Sequence, residues 1–229
     1  MRTKAVFLSF LLLFAAVIPA VASEIIVDGD DIDLDVQKEI LEAWGNVVIT
    51  APDLQINAEY AKLNMKKDEL RAEESSRLQM EDWEIFSEEL ELDLDGEYVW
   101  AREKVRVISP DWTLEGEELD YYAGKSAELQ GPGELTWDDL FVEGDHFFLE
   151  LDTEKLEVTG NTYLQHVDLE ARADKIVFQP DEYILLIGNV SGSYGDMRVE
   201  GERVRYILPE EEGRIKVEKG RLFMPATEE

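Results

Sequence analysis

The stretch DWTLEGEELDY, Asp111 to Tyr121, decides the fold. Its apolar residues alternate with polar ones, the two-residue period of a strand that buries one face. Midway the phase slips: Trp112, Leu114 and Gly116 share one parity, whereas Leu119 and Tyr121 take the other. A small residue followed by a phase slip is what a bulge or a sharp bend requires. The segment is therefore expected to be a strand folded over at Gly116, with one apolar surface kept inside the bend.

The same pattern (acid, apolar, any, apolar, any, small, acid, any, apolar, any, apolar) recurs along the chain. It reads EIIVDGDDIDL from Glu24, DLQINAEYAKL from Asp53, DWEIFSEELEL from Asp82, DLFVEGDHFFL from Asp139, DLEARADKIVF from Asp168 and DMRVEGERVRY from Asp196. With the Asp111 copy that makes seven, whose starts lie 29, 29, 29, 28, 29 and 28 residues apart. The small position is filled by Gly29, Ala58, Ser87, Gly116, Gly144, Ala173 and Gly201. A fixed period of this kind marks a repeat architecture.

The rest of each copy reads as a second bent strand, as in LEAWGNVVI from Leu41, LEVTGNTYLQ from Leu156 and LLIGNVSGSY from Leu185. Gly45, Gly131, Gly133, Gly160, Gly188 and Gly220 lie near the middle of these segments. Turn chemistry separates the halves at Asp95-Gly96, Ala123-Gly124, Gln179-Pro180 and Leu208-Pro209, and Pro52 and Pro110 mark turns between copies. The expected fold is all-β: a meander of about fourteen bent antiparallel strands forming an elongated jelly roll or trough. At ~4.8 Å per strand it would be roughly 65 Å long. The alternative is a parallel β-solenoid with one copy per coil. Two turn signals per copy and short connections favour the meander.

Composition narrows the function. The 229 residues suit one domain or two small ones, and 45% hydrophobic content suffices for a core. The formal charge of -31 repels nucleic acid and anionic membrane surfaces, so neither is an expected partner. With no cysteine there is no disulfide, no thiolate metal site and no lipoprotein anchor. His146 and His166 stand alone, and no GxSxG, P-loop or HExxH motif is present. DGDDIDLD from Asp28 lacks the central Gly and terminal Glu of a calcium loop and reads as a solvated face. No enzyme, cofactor or metal site is expected.

The N-terminus carries a targeting pattern. Arg2 and Lys4 precede a mostly apolar run from Ala5 to Ile18, then Pro19 and the small-x-small triplet Ala20-Val21-Ala22. A run of fourteen residues is short for a spanning helix of ~20. Residues 1–22 are therefore expected to be a cleaved signal peptide, with 23–229 the exported domain. A retained membrane anchor is the alternative.

Several segments resemble a known family. AWGNVVITAPDLQINAEYAKLN from Ala43, with echoes at Gly160-Asn161, Ala173-Asp174 and Gly188-Asn189, is similar to the repeat of the OstA-like (organic solvent tolerance) superfamily. That superfamily includes the lipopolysaccharide-transport proteins LptA and LptC and the periplasmic domain of LptD. The resemblance implies a β-jelly roll with an apolar interior. It also implies a periplasmic bridge that carries lipopolysaccharide, or another envelope lipid, from the inner to the outer membrane. The alternatives are an inner-membrane-anchored LptC-like accessory subunit, a structural β-solenoid surface protein, or a carbohydrate-active β-helix enzyme. So acidic a chain does not itself attract lipid phosphates. Divalent cations could mediate, the headgroup could stay outside, or the lipid could be a different one.

The residues expected to line the trough are Ile25, Val27, Leu54, Ile56, Trp83, Ile85, Trp112, Leu114, Leu140, Val142, Leu169, Met197 and Val199. Taken singly, each could equally be closed core. An open meander leaves two edge strands that invite pairing. Glu24 to Asp35 carries six acids and no base, whereas Arg198 to Arg221 holds seven bases against six acids. The expected partners are therefore β-jelly-roll proteins docked on these edges, or head-to-tail copies of this chain.

Overall fold

A computed structural model describes residues 25–80, 83–94, 96–208 and 214–224. The segment expected to be a signal peptide lies outside the described residues. No described residue is helical. The described residues form sixteen strands: β1 (Ile26–Asp28), β2 (Asp31–Asp35), β3 (Ile40–Ala51), β4 (Leu54–Asn64), β5 (Glu69–Met80), β6 (Trp83–Asp93), β7 (Tyr98–Ile108), β8 (Trp112–Tyr122), β9 (Ser126–Trp137), β10 (Leu140–Glu150), β11 (Lys155–His166), β12 (Leu169–Gln179), β13 (Tyr183–Tyr194), β14 (Met197–Ile207), β15 (Ile215–Glu218) and β16 (Arg221–Phe223).

All belong to one sheet in which β3 to β14 follow one another as an antiparallel meander. At one end β1 and β2 each pair with half of β3, and at the other β15 and β16 each pair with half of β14. Each end is therefore one bent strand interrupted at its bend, so the sheet amounts to the fourteen bent strands expected. Every pairing is antiparallel, which excludes the solenoid.

The bends have a common construction. Glu143 pairs with Tyr163 and His146 with Thr159, so three residues of β11 stand opposite Gly144 and Asp145 of β10. That extra residue is a bulge, which bends the sheet and sharpens its twist. Two consecutive residues of the bulged strand are left-handed: Gly45-Asn46, Glu74-Ser75, Glu103-Lys104, Gly160-Asn161 and Gly188-Asn189 all have positive φ. Glu74-Ser75 and Glu103-Lys104 do this without a glycine, at a cost of about 1–2 kcal/mol per residue.

In five of the seven copies the acid after the small residue caps the bulge on the next strand. Asn46 Nδ2 donates to Asp30 Oδ2 at 3.0 Å, Asn161 Nδ2 to Asp145 Oδ2 at 2.7 Å, and Asn189 Nδ2 to Asp174 Oδ2 at 2.9 Å. Lys104 Nζ donates to Glu88 Oε1 at 2.6 Å and Lys219 Nζ to Glu202 Oε2 at 3.0 Å. Glu88 is held below its ordinary carboxylate range by Lys104 and then by the Ser75 backbone. The repeated acid thus sits on the outer spine of the fold as a structural group.

Facing the crease from inside is the small position, and the reason for its size is space rather than φ. A Cβ on Gly116 would collide with the Leu129 side chain, and one on Gly144 with Val158 Cγ1. In the crease between β5 and β6, Ser76 pairs with Ser87, and both hydroxyls are buried without a hydrogen-bond partner among the described residues. Each such orphan costs on the order of 1 kcal/mol or more.

Candidate functional site

The folded sheet encloses one apolar cluster that runs from Ala43 on β3 to Tyr206 on β14. Nine of the thirteen expected lining residues are buried in it: Leu54, Ile56, Ile85, Trp112, Leu114, Leu140, Val142, Leu169 and Val199. Ile25, Val27 and Trp83 are partly buried and pack against it. Met197 is half-buried and instead lines a shallow outer depression with Ser191, Gly192 and Arg198.

One tryptophan shows how far the sheet folds over. The Trp83 ring lies 4.8 Å from Trp112 and 5.2 Å from Tyr121, which stand near opposite ends of β8. Nine residues of extended chain span ~30 Å. Both ends of β8 can reach a single indole only if the strand is bent double. Of the two forms expected, a trough or a flattened roll, the interior here is the packed roll. Burying two rows of aromatic rims against each other is favourable enough to bring them together, since ring pairs of this geometry add ~0.5–1.5 kcal/mol beyond area burial.

The two rims meet along a seam. One rim is formed by the β3–β4, β5–β6, β7–β8, β9–β10, β11–β12 and β13–β14 turns, and the other by the alternate turns. Across the seam Trp83 meets Tyr121, Trp137 meets Phe178 at 5.5 Å, and Tyr206 meets both His166 at 6.0 Å and Tyr194 at 5.4 Å. His166 Nδ1 is buried there with no hydrogen-bond partner among the described residues. Near Trp83 the rims part around a cleft of about 580 Å³ lined by Ala51, Leu54, Met80, Leu94 and Tyr121, among others.

The outer face is polar and paired. Tyr60 donates to Glu42 Oε1 at 2.9 Å, and burial followed by that bond pushes its hydroxyl up to about 12. His146 lies 2.7 Å from Glu128 on this face. Among the described residues no three His, Asp or Glu side chains converge as a metal site.

The expected lining set came from the first half of alternate strands. It omitted the other rim (Leu63, Leu92, Val99, Leu119, Phe178 and Tyr206) and the intervening strands, among them Ile49, Leu78 and Leu135. The signal was present, because Leu119 and Tyr121 keep the alternation after the slip.

A bent β-meander of this repeat length, with one apolar interior, is matched from residue 26 to residue 212 by the sequence profile of the LptA and LptD N-terminal domain lipopolysaccharide transport proteins. The chain belongs to this LptA/LptD N-terminal domain family. Among solved structures, it is similar to the crystal structure of LptH from Pseudomonas aeruginosa, described as the LptA-homologous periplasmic component of the lipopolysaccharide transport device. The identity is 12%, covering 60% of this chain and 82% of that one, with a TM-score of 0.28. No curated protein matches. As a member of the LptA/LptD N-terminal domain family, the chain takes part in lipopolysaccharide transport.

Proposed function

We propose that the chain is an exported, non-enzymatic bridge that carries lipopolysaccharide through the periplasm, with residues 1–22 serving as the removed export signal. The acyl chains lie in the interior and the sugar headgroup stays outside. The observation that carries this reading is the uninterrupted apolar interior, running through every full-length strand and bridged along one side by side-chain contacts such as Trp83–Tyr121 and Trp137–Phe178. Non-covalent closure can open and reform, whereas a hydrogen-bonded barrel could not part laterally without losing a ladder. Each methylene moved from water into such an interior contributes ~0.8 kcal/mol, so several acyl chains bind well after ordering costs.

A photo-crosslinking residue at Ile56, Leu114 or Val142 should capture lipopolysaccharide in cells, whereas the same group at Gln55 or Glu143 on the outer face should not. Equal capture at the two sets would refute interior carriage.

The edges supply the partner reading. Among the described residues β1 and β2 pair only with β3, and β15 and β16 only with β14, so both ends present open backbone. Each end also shows apolar side chains: Ile26, Ile32 and Leu34 at one, Leu222 and Phe223 at the other. Joining the basic C-terminal edge to the acidic N-terminal edge continues the roll, either between copies or onto a jelly-roll partner. Light scattering should show oligomers at low salt that weaken toward ~0.5 M salt, because surface charge pairs are screened. Changing Lys216, Lys219 and Arg221 to Glu should abolish them. A monomer under all conditions, with neither edge capturing a partner in the envelope, would exclude the edge reading.

A further inference from the structure

The seam is not uniform along its length. From Trp83 to the β14 end, ring contacts cross it repeatedly: Trp83–Tyr121, Trp137–Phe178, His166–Tyr206 and Tyr194–Tyr206. Two further contacts run along it, Trp83–Trp112 and Trp112–Trp137. On the N-terminal side of Trp83 the rim carries Ala51, Leu54 and Met80 instead, and among the described residues no ring contact bridges the rims there. This is where the cleft of about 580 Å³ lies. Its floor is continuous with the closed interior, because Leu54 belongs to the core cluster and Ile56 behind it is fully buried.

We infer that this cleft is a lateral mouth through which a lipid acyl chain enters the roll, with Trp83 and Tyr121 as its latch. The inference rests on the carrier reading above and adds the place of admission. The chemistry selects the occupant. Leu54, Met80, Leu94 and the two latch rings offer hydrocarbon and π surface, and an unbranched methionine adapts to a mobile chain. Among the described lining residues Asp53 is the one charged group, and its carboxylate repels a phosphate. The lining therefore suits a hydrocarbon tail and rejects an anionic headgroup. A volume of several hundred Å³ is also the size at which small ligands are held. The aromatic seam beyond the latch stays closed while the chain threads beneath it.

Because the chain has no cysteine, paired cysteines can be bridged selectively. Trp83→Cys with Tyr121→Cys, joined by a short bismaleimide, ties the mouth shut. Trp137→Cys with Phe178→Cys, joined in the same way, ties the seam. Each is compared with its own monofunctional maleimide-capped form, using fluorescent dodecanoate and lipopolysaccharide micelles as probes. The mouth bridge should slow uptake of both probes at least ten-fold, and the seam bridge less than two-fold. Met80→Asp, at the half-buried lip, should slow uptake of dodecanoate with an unchanged melting temperature. Equal slowing by the two bridges, or none from the mouth bridge, overturns the mouth while leaving interior carriage standing. A wild-type protein that takes up neither probe overturns the carrier reading and the mouth together.

Discussion

Leu114→Asp is expected to lower stability by about 4 kcal/mol or more at pH 7. Leu114 is 3% exposed and pairs with Val107 on one side and Leu135 on the other, both fully buried. No cation can reach a carboxylate placed there without crossing the packed interior. An unpaired buried charge costs several kcal/mol, a large part of the 5–15 kcal/mol that typically holds a domain folded. The effect should depend on pH in a definite direction. Burial raises the carboxyl's pKa in the folded state above the unfolded value, so the folded form retains the proton. Stability relative to wild type is then least impaired below about pH 4 and falls as pH rises beyond it. Urea unfolding followed by tryptophan fluorescence at pH 4 and pH 7 measures both effects. A variant within about 0.5 kcal/mol of wild type at pH 7 would show that the interior is hydrated rather than packed.

The second large effect is steric. Gly144→Val should cost about 1–3 kcal/mol, the range for forcing extra volume into a filled core. A Cβ at Gly144 meets Val158 Cγ1 on the neighbouring strand, and Val158 is fully buried with nowhere to retreat. The Thr159 and Gly160 carbonyl oxygens lie 3.4 and 3.5 Å from the same point, so the backbone closes the remaining space. Relief should come from the partner: Val158→Ala in the same chain should restore part of the loss, which a double-mutant cycle reads as favourable coupling. Glu143→Val, one residue earlier on the exposed face, serves as the control. Similar melting of Gly144→Val and that control would remove the crease as the reason for a small residue at this position.

These two sites show what is legible in a repeat. Alternation says which face of a strand is apolar, and a slip in phase says where the strand turns over. Leu114 and Gly144 could both be placed in the interior from those rules alone. The bends at Glu74-Ser75 and Glu103-Lys104 were not marked by composition, because neither contains the glycine or asparagine found at Gly45-Asn46, Gly160-Asn161 and Gly188-Asn189. There the ladders on either side and the neighbouring acid hold two ordinary residues in a conformation they would not choose.

By itself the sequence determined the antiparallel meander, the strand boundaries, the crease and the two open edges, because each rests on local periodicity, turn chemistry and the spacing of copies. Closure was decided only by the tertiary structure. Trp83 and Tyr121 lie 38 positions apart and two strands away from each other, and no short-range rule says that the rims carrying them meet. The angle of each bend, summed over the meander, brings them to ring contact. That angle follows from the bulge geometry and the packing of the whole interior, to which every copy contributes. For the same reason the rims meet along the seam, with an apolar gap between them beside Trp83.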